Sequence, residues 1–172
     1  MLQGIINCKR ELGVGIIRAC DLMNREVITV SPDAYACEVA DIVTRKRIHL
    51  VPVVSAENKL VGVVTERDLL RGFVSPSVRF LDITVYLEQP HSLEVMRERA
   101  SGIKVSNIMT SRVESVAEDT SLGKVIALVL EKNLHQIPVV REEEVVGLVS
   151  RSDIIRTIYS KICPIKRAGG GE

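Results

Sequence analysis

One stretch of this chain is written twice. Val27-Ile28-Thr29-Val30 followed by Asp33 returns as Val113-Glu114-Ser115-Val116 followed by Asp119, and His49-Leu50-Val51-Pro52-Val53-Val54 returns as His135-Gln136-Ile137-Pro138-Val139-Val140, both 86 residues on. A turn shorter by one residue then sets Val61-Gly62-Val63-Val64-Thr65-Glu66-Arg67-Asp68 over Val146-Gly147-Leu148-Val149-Ser150-Arg151-Ser152-Asp153 at a spacing of 85. Two copies make a pseudo-twofold pair, because a solenoid needs three or more stacked units.

The periods within each copy give its elements. Ala36, Val39, Ala40 and Val43, mirrored by Leu122, Val125, Ile126 and Val129, recur at three and four and predict an amphipathic helix. Asp33, and Asp119 or Thr120, are its expected N-caps. Two β-branched runs separated by Ala56-Glu57-Asn58-Lys59 predict a buried hairpin, after which Thr65 or Ser150 opens a second helix. The unit is strand, helix, strand, strand, helix, an α/β (α+β) arrangement in which two copies pack through their sheets, since one alone would bury too little. The expected organisation is an N-terminal extension (1–15), repeat 1 (16–73), an insertion (74–102), repeat 2 (103–160) and a flexible tail (161–172). Within the insertion, residues 81–87 read as extended and Ser92 caps a short helix.

Composition removes several function classes. With 23 Lys+Arg against 22 Asp+Glu there is no electrostatic footprint for nucleic acid, and 3% aromatic residues leave few platforms for base stacking. No run approaches the ~18 apolar residues of a membrane span, so no membrane role is expected. The first residues, Gly4-Ile5-Ile6 before Lys9-Arg10, do not read as a secretory signal, and the expected location is cytoplasmic. Cys8, Cys20, Cys37 and Cys163 show no metal or disulfide framework, so reduced thiols and no bound metal are expected. His49 and His135 recur without nearby acids or cysteines in sequence, which favours a structural role.

The motif with chemical content is Thr65-x-x-Asp68, repeated as Ser150-x-x-Asp153. A hydroxyl followed three residues later by an acid is a capping box, in which the two side chains satisfy the free amides of a helix start. Its presence at equivalent strand-to-helix junctions of both copies adds a second role. A helix N-terminus receives anions, and hydroxyl, amides and carboxylate together suit a nucleoside phosphate, the carboxylate accepting from the ribose 2′- and 3′-hydroxyls. Capping and binding can coexist.

These residues resemble the CBS-domain family, as a stand-alone tandem pair called a Bateman module. The resemblance is carried by Asp21-Leu22-Met23 and Asn107-Ile108-Met109, the two His-x-x-Pro-Val-Val segments, and Gly62-Val63-Val64-Thr65-Glu66-Arg67-Asp68 with its partner. It implies two pseudosymmetric clefts that bind adenosine nucleotides (AMP, ADP or ATP), less often S-adenosylmethionine or NAD, in a regulatory and non-catalytic role. Carried onto this chain, it implies Asp68 and Asp153 as ribose ligands and Thr65, Ser150, Lys46, Arg47, Lys132 and Arg151 around the phosphate. An adenine pocket of Val27, Ile48, Pro52, Val113, Leu134 and Pro138 completes the set. Arg47 against Asn133, and Arg151 against Glu66, make the clefts unequal and favour the Ser150/Asp153 cleft for the more phosphorylated ligand.

The expected function is thus a regulatory adenine-nucleotide sensor that requires no cofactor, forms a homodimer and signals to an unidentified regulated protein. The alternative is a structural oligomerisation module whose acids only cap helices. An enzyme is not expected, because no nucleophile–base constellation, metal spacing or phosphate-binding P-loop is present.

Overall fold

The structure, a computed structural model, describes residues 16–73 and 100–162. The expectations for residues 1–15, 74–99 and 163–172, including the extended piece, the Ser92 helix, Cys8 and Cys163, lie outside them. In chain order the elements are α1 (Ala19–Leu22), α2 (Ala36–Lys46), β1 (Leu50–Val54), β2 (Leu60–Thr65) and α3 (Glu66–Phe73). There follow α4 (Val105–Ile108), β3 (Val116–Ala117), α5 (Leu122–Glu131), β4 (Gln136–Arg141), β5 (Glu144–Ser150) and α6 (Arg151–Ile162). Helix, hairpin and helix occur in each copy, as the periodicity predicts. The leading strand is shorter than predicted: in the second copy it is β3, and in the first it shrinks to one parallel bridge, Val30 to Val53.

Two compact units form, and they do not follow the chain linearly. Among the described residues, one comprises 28–73 and 100–113 with 143–145, and the other joins 16–27 to 114–142 and 146–162. The segment leading into each copy is thus built onto the strands of the other copy. Hydrogen bonds repeat this arrangement residue for residue. Asn24 and Leu148 exchange N–H···O bonds of 2.9 and 3.0 Å, and Thr110 and Val63 exchange bonds of 2.9 and 3.0 Å. These bonds cover the otherwise open outer edge of each hairpin, where unpaired backbone groups would invite aggregation.

The same crossing displaces the predicted caps. Asp33 and Asp119 do not cap: α2 has Tyr35 and α5 has Ser121 at the N-cap, neither N-cap side chain makes a capping bond, and at α2 the Glu38 carboxylate accepts from the Tyr35 amide at 2.9 Å. The first-turn amides of Ala36 and Leu122 instead donate to the carbonyls of Ile103 and Ile17, both at 2.8 Å. Asp33 pairs with the Lys104 ammonium at 2.9 Å, and that hydrogen bond raises the Lys104 pKa.

In the unit containing the first hairpin, β1 and β2 pair antiparallel from Leu50↔Thr65, with a bulge between Val53 and Val54. Its core is Ala36, Val39, Val43, Val51, Val53, Val64, Leu69 and Val105. In the other unit β4 lies between β3 and β5, and the core is Ala19, Leu22, Met23, Val116, Val125, Val129, Ile137, Val139, Val149 and Ile154. Neither core has a fully buried aromatic side chain, in keeping with the scarcity of aromatics. Each fully buried Val or Ile contributes about 1.5–3 kcal/mol. Cys20 is half-buried and Cys37 exposed, and neither forms a disulfide.

Candidate functional site

In the first hairpin's unit, β2 ends at Thr65 and α3 begins at Glu66 with no residue between them. A strand that passes directly into a helix leaves the first-turn amides beside its last side chain. The Thr65 amide donates to Asp68 Oδ2 at 2.9 Å and the Thr65 hydroxyl donates to the same oxygen at 2.6 Å. The Asp68 amide donates back to the Thr65 hydroxyl at 3.3 Å. Asp68 is 6% exposed, the single buried charged side chain among the described residues. Every capping bond falls on Oδ2 and none on Oδ1.

The second junction repeats this geometry. The Ser150 amide and hydroxyl donate to Asp153 Oδ2 at 2.9 and 2.5 Å, and the Asp153 amide donates to the Ser150 hydroxyl at 3.1 Å. Oδ1 again stands outside the box, with Arg156 Nη1 at a long 3.4 Å. The capping half of the sequence reading is therefore present in full. A carboxylate has about four lone-pair sites, so the box leaves acceptor capacity on both acids.

The two junctions differ at the next residue. Glu66 lies 3.0 Å from His49 Nδ1, so one histidine has an acidic neighbour that its sequence surroundings do not show. Arg151 instead donates from Nε to the Leu134 carbonyl at 2.6 Å and from Nη2 to Asn133 Oδ1 at 2.8 Å. It anchors the turn leading into β4. That turn carries a left-handed residue in each copy, Arg47 at φ 53° and Asn133 at φ 52°. Asparagine tolerates this conformation, whereas a residue such as arginine is strained there by about 1–2 kcal/mol.

Of the other predicted residues, Lys46 and Arg47 are exposed, and Lys132 lies 3.5 Å from Glu114. Val27, Ile48, Val113 and Leu134 are half-buried, while Pro52 and Pro138 are under 2% exposed. Thr65, Asp68, Lys46, Arg47, Ile48, Pro52 and Val113 belong to one unit; Ser150, Asp153, Arg151, Lys132, Val27, Leu134 and Pro138 belong to the other. Among the described residues no group of three or more His, Cys, Asp or Glu could hold a metal ion, and no helix is long and apolar enough to cross a membrane.

Met23 and Met109, which the resemblance already singles out, each pack on a strand glycine three residues before a junction. Met23 lies over Gly147, and Met109, together with the Thr110 carbonyl, lies over Gly62. Both methionines stand 86 residues apart and were visible in the repeat. Their partners were not, because the pairing crosses from one copy to the other.

Comparison with known proteins places this geometry in a family. The sequence profile of the CBS domain matches residues 19–75 and 105–160. The chain is 25% identical to the uncharacterized protein MJ1426 of Methanocaldococcus jannaschii, over 91% of this chain and 99% of that one. It is also 25% identical to the inosine-5′-monophosphate dehydrogenase of the same organism, of which it spans only 23%. Among solved structures, the CBS domain pair of protein MJ0100 in complex with 5′-methylthioadenosine and S-adenosyl-L-methionine superimposes with a TM-score of 0.64 at 25% identity, over 86% of this chain and 99% of that one. CBSX2 in complex with AMP shares the fold at a TM-score of 0.64 and 22% identity, over 84% and 97% of the two chains.

Proposed function

Because the chain belongs to the CBS-domain family, with two copies of the domain, we propose that it is a regulatory module that binds adenine nucleotides at its strand-to-helix junctions and signals their presence to a partner protein. One observation carries this reading. Both junctions hold a hydroxyl, helix amides and a carboxylate in the same geometry, with Oδ1 of Asp68 and of Asp153 left outside the capping box. That oxygen is the acceptor a ribose diol requires. The compounds bound by the MJ0100 pair and by CBSX2 have adenosine in common, and adenosine brings that diol.

Lys46, Arg47 and Lys132 supply exposed positive charge for a phosphate, while Arg151 is committed to its own turn. The strain at Arg47 supports a retained function, since the equivalent position carries an asparagine. Replacing Arg47 by glycine is expected to stabilise the chain by up to about 1 kcal/mol, because glycine adopts φ > 0 freely. The same change lowers affinity for AMP or ATP severalfold and leaves affinity for adenosine unchanged. Urea titration and calorimetry on one sample test both parts, and equal losses for adenosine and AMP would remove Arg47 from the phosphate.

Homodimerisation belongs to this reading. Leu70 and Ile155, at equivalent positions of α3 and α6, are 67% and 65% exposed and offer apolar side chains to a second copy. Sedimentation equilibrium measures it.

A second reading, an association module without ligand, is favoured by the completeness of the capping box itself. Thermal melting separates the two. A compound that binds only the folded chain at 100 times its Kd adds about 2.7 kcal/mol and raises the midpoint. A rise with AMP, ADP or ATP supports the sensor, and no shift with any adenine compound supports the association module.

A further inference from the structure

The two copies match at their strand-to-helix junctions and differ at the other end of the same hairpins. In the second copy β3 runs parallel to β4, with Val116 opposite Val139 and Ala117 opposite Val140. The next residue on each, Glu118 and Arg141, covers the strand ends with a bidentate ion pair of 2.6 and 3.0 Å. The first copy keeps this register, since Val30 bridges Val53, but Pro32 and Ser55 stand at the positions of Glu118 and Arg141. Those two side chains cannot form an ion pair. A groove of about 400 Å³ remains, with Val30 and Val54 on its apolar side and Thr29, Ser31, Asp33 and Ser55 on its polar side.

The charge at this edge is negative. The Asp33 side chain is 82% exposed, and Lys104 takes its Oδ1 at 2.9 Å. Glu57, next to the groove, accepts the Ser55 hydroxyl at 2.8 Å through Oε2, while Lys59 is engaged by Glu143 at 2.6 Å. Two carboxylates against the Lys104 ammonium favour a cation. We propose that the groove receives an arginine side chain of a partner protein, its guanidinium at Asp33 and Glu57 and its methylene stem along Val30 and Val54. The second copy displays the chemistry, because it holds an arginine of its own at the corresponding place. A guanidinium suits the groove better than an ammonium: its planar fork reaches several oxygens at once, and its weak hydration lets it lie on apolar side chains. This gives a surface to the partner in the functional reading above and rests on that part of the reading alone. The groove is at the Val54 end of β1 and the Thr65/Asp68 junction at the Leu50 end, about 13 Å away, so nucleotide and partner take different sites.

The test titrates the full chain with N-acetyl-arginine amide, which mimics an arginine within a peptide, and follows backbone amide resonances by NMR. Saturable shifts confined to residues 29–33 and 54–56 are expected, with a Kd of about 1 mM for a single side chain. N-acetyl-citrulline amide, similar in shape and uncharged, should bind about tenfold more weakly. Combining Pro32→Glu with Ser55→Arg writes the second copy's ion pair into the first, fills the groove and should lower affinity about tenfold. Lys104→Ala releases Asp33 and should raise affinity up to about fivefold. The proposal is overturned by no saturable shift in the parent chain, by equal binding of the citrulline compound, or by unchanged affinity in both variants. Free arginine binding about tenfold more tightly than its amide would mark an amino-acid site and overturn it too. AMP is titrated in parallel. Binding of AMP without the arginine compound removes the docking groove and leaves the nucleotide reading intact, whereas the converse removes the nucleotide reading and leaves the groove.

Discussion

Replacing Gly147 by alanine is expected to destabilise the protein by about 1–3 kcal/mol, the range of an overpacked core. A Cβ at this position would lie 2.4 Å from Met23 Sδ, 2.7 Å from its Cγ and 2.9 Å from its Cβ. Carbon atoms in contact settle near 3.5–4.0 Å. A sulfur could swing away, but the Met23 Cβ is fixed to a backbone that the adjacent Asn24–Leu148 bonds, 2.9 and 3.0 Å, hold in place. Gly62→Ala is the internal control. There the close atoms are Met109 Sδ at 2.7 Å and Cγ at 3.2 Å, with the Thr110 carbonyl at 3.3 Å, so much of the clash is relieved by rotating one flexible side chain. Urea unfolding of both variants should show the larger loss at position 147. Adding Met23→Ala should recover part of that loss, because neighbouring substitutions are not additive. Equal losses at the two glycines would contradict this account of the packing.

Asp153→Ala is expected to have two separable consequences. The capping box loses its acceptor, at a cost of about 0.5–2 kcal/mol in stability. A ligand that donated two ribose hydroxyls to the carboxylate loses charge-assisted bonds of about 1.5–3 kcal/mol each, which lowers the affinity of that junction by two orders of magnitude or more. Asp153→Asn divides these effects. Its amide oxygen still accepts from the Ser150 amide at the start of α6, so the fold is held within about 0.5 kcal/mol of the parent, while removal of the charge lowers affinity about tenfold. Denaturation and calorimetry on the pair of variants measure each consequence independently. If Asp153→Ala bound AMP as tightly as the parent, the carboxylate would be a cap and nothing more.

The repeat, the helix periods and the hairpins were legible because each is written within a few adjacent residues: Val39 with Val43, and Leu50 to Val54 with Leu60 to Thr65. What was not legible depends on residues far apart in the chain. The caps at Asp33 and Asp119 failed because Ile103 and Ile17 supply the carbonyls that a cap would replace. The leading strand of the first copy is reduced to one bridge at Val30, although Val27 to Val30 is as apolar as a strand should be. The Thr65/Asp68 and Ser150/Asp153 clusters were readable as pairs, since a capping box is local. The burial of Asp68 and the Arg151 anchor on Asn133 were not, because both reflect packing between strands and turns.

The central claim is that Asp68 and Asp153 hold the sugar of an adenine nucleotide. Calorimetric titration with AMP and with 2′,3′-dideoxy-AMP, which differ only in the two hydroxyls assigned to those carboxylates, tests it most directly. The account predicts that AMP binds and that the dideoxy compound binds at least tenfold more weakly; equal affinities for the two would contradict it.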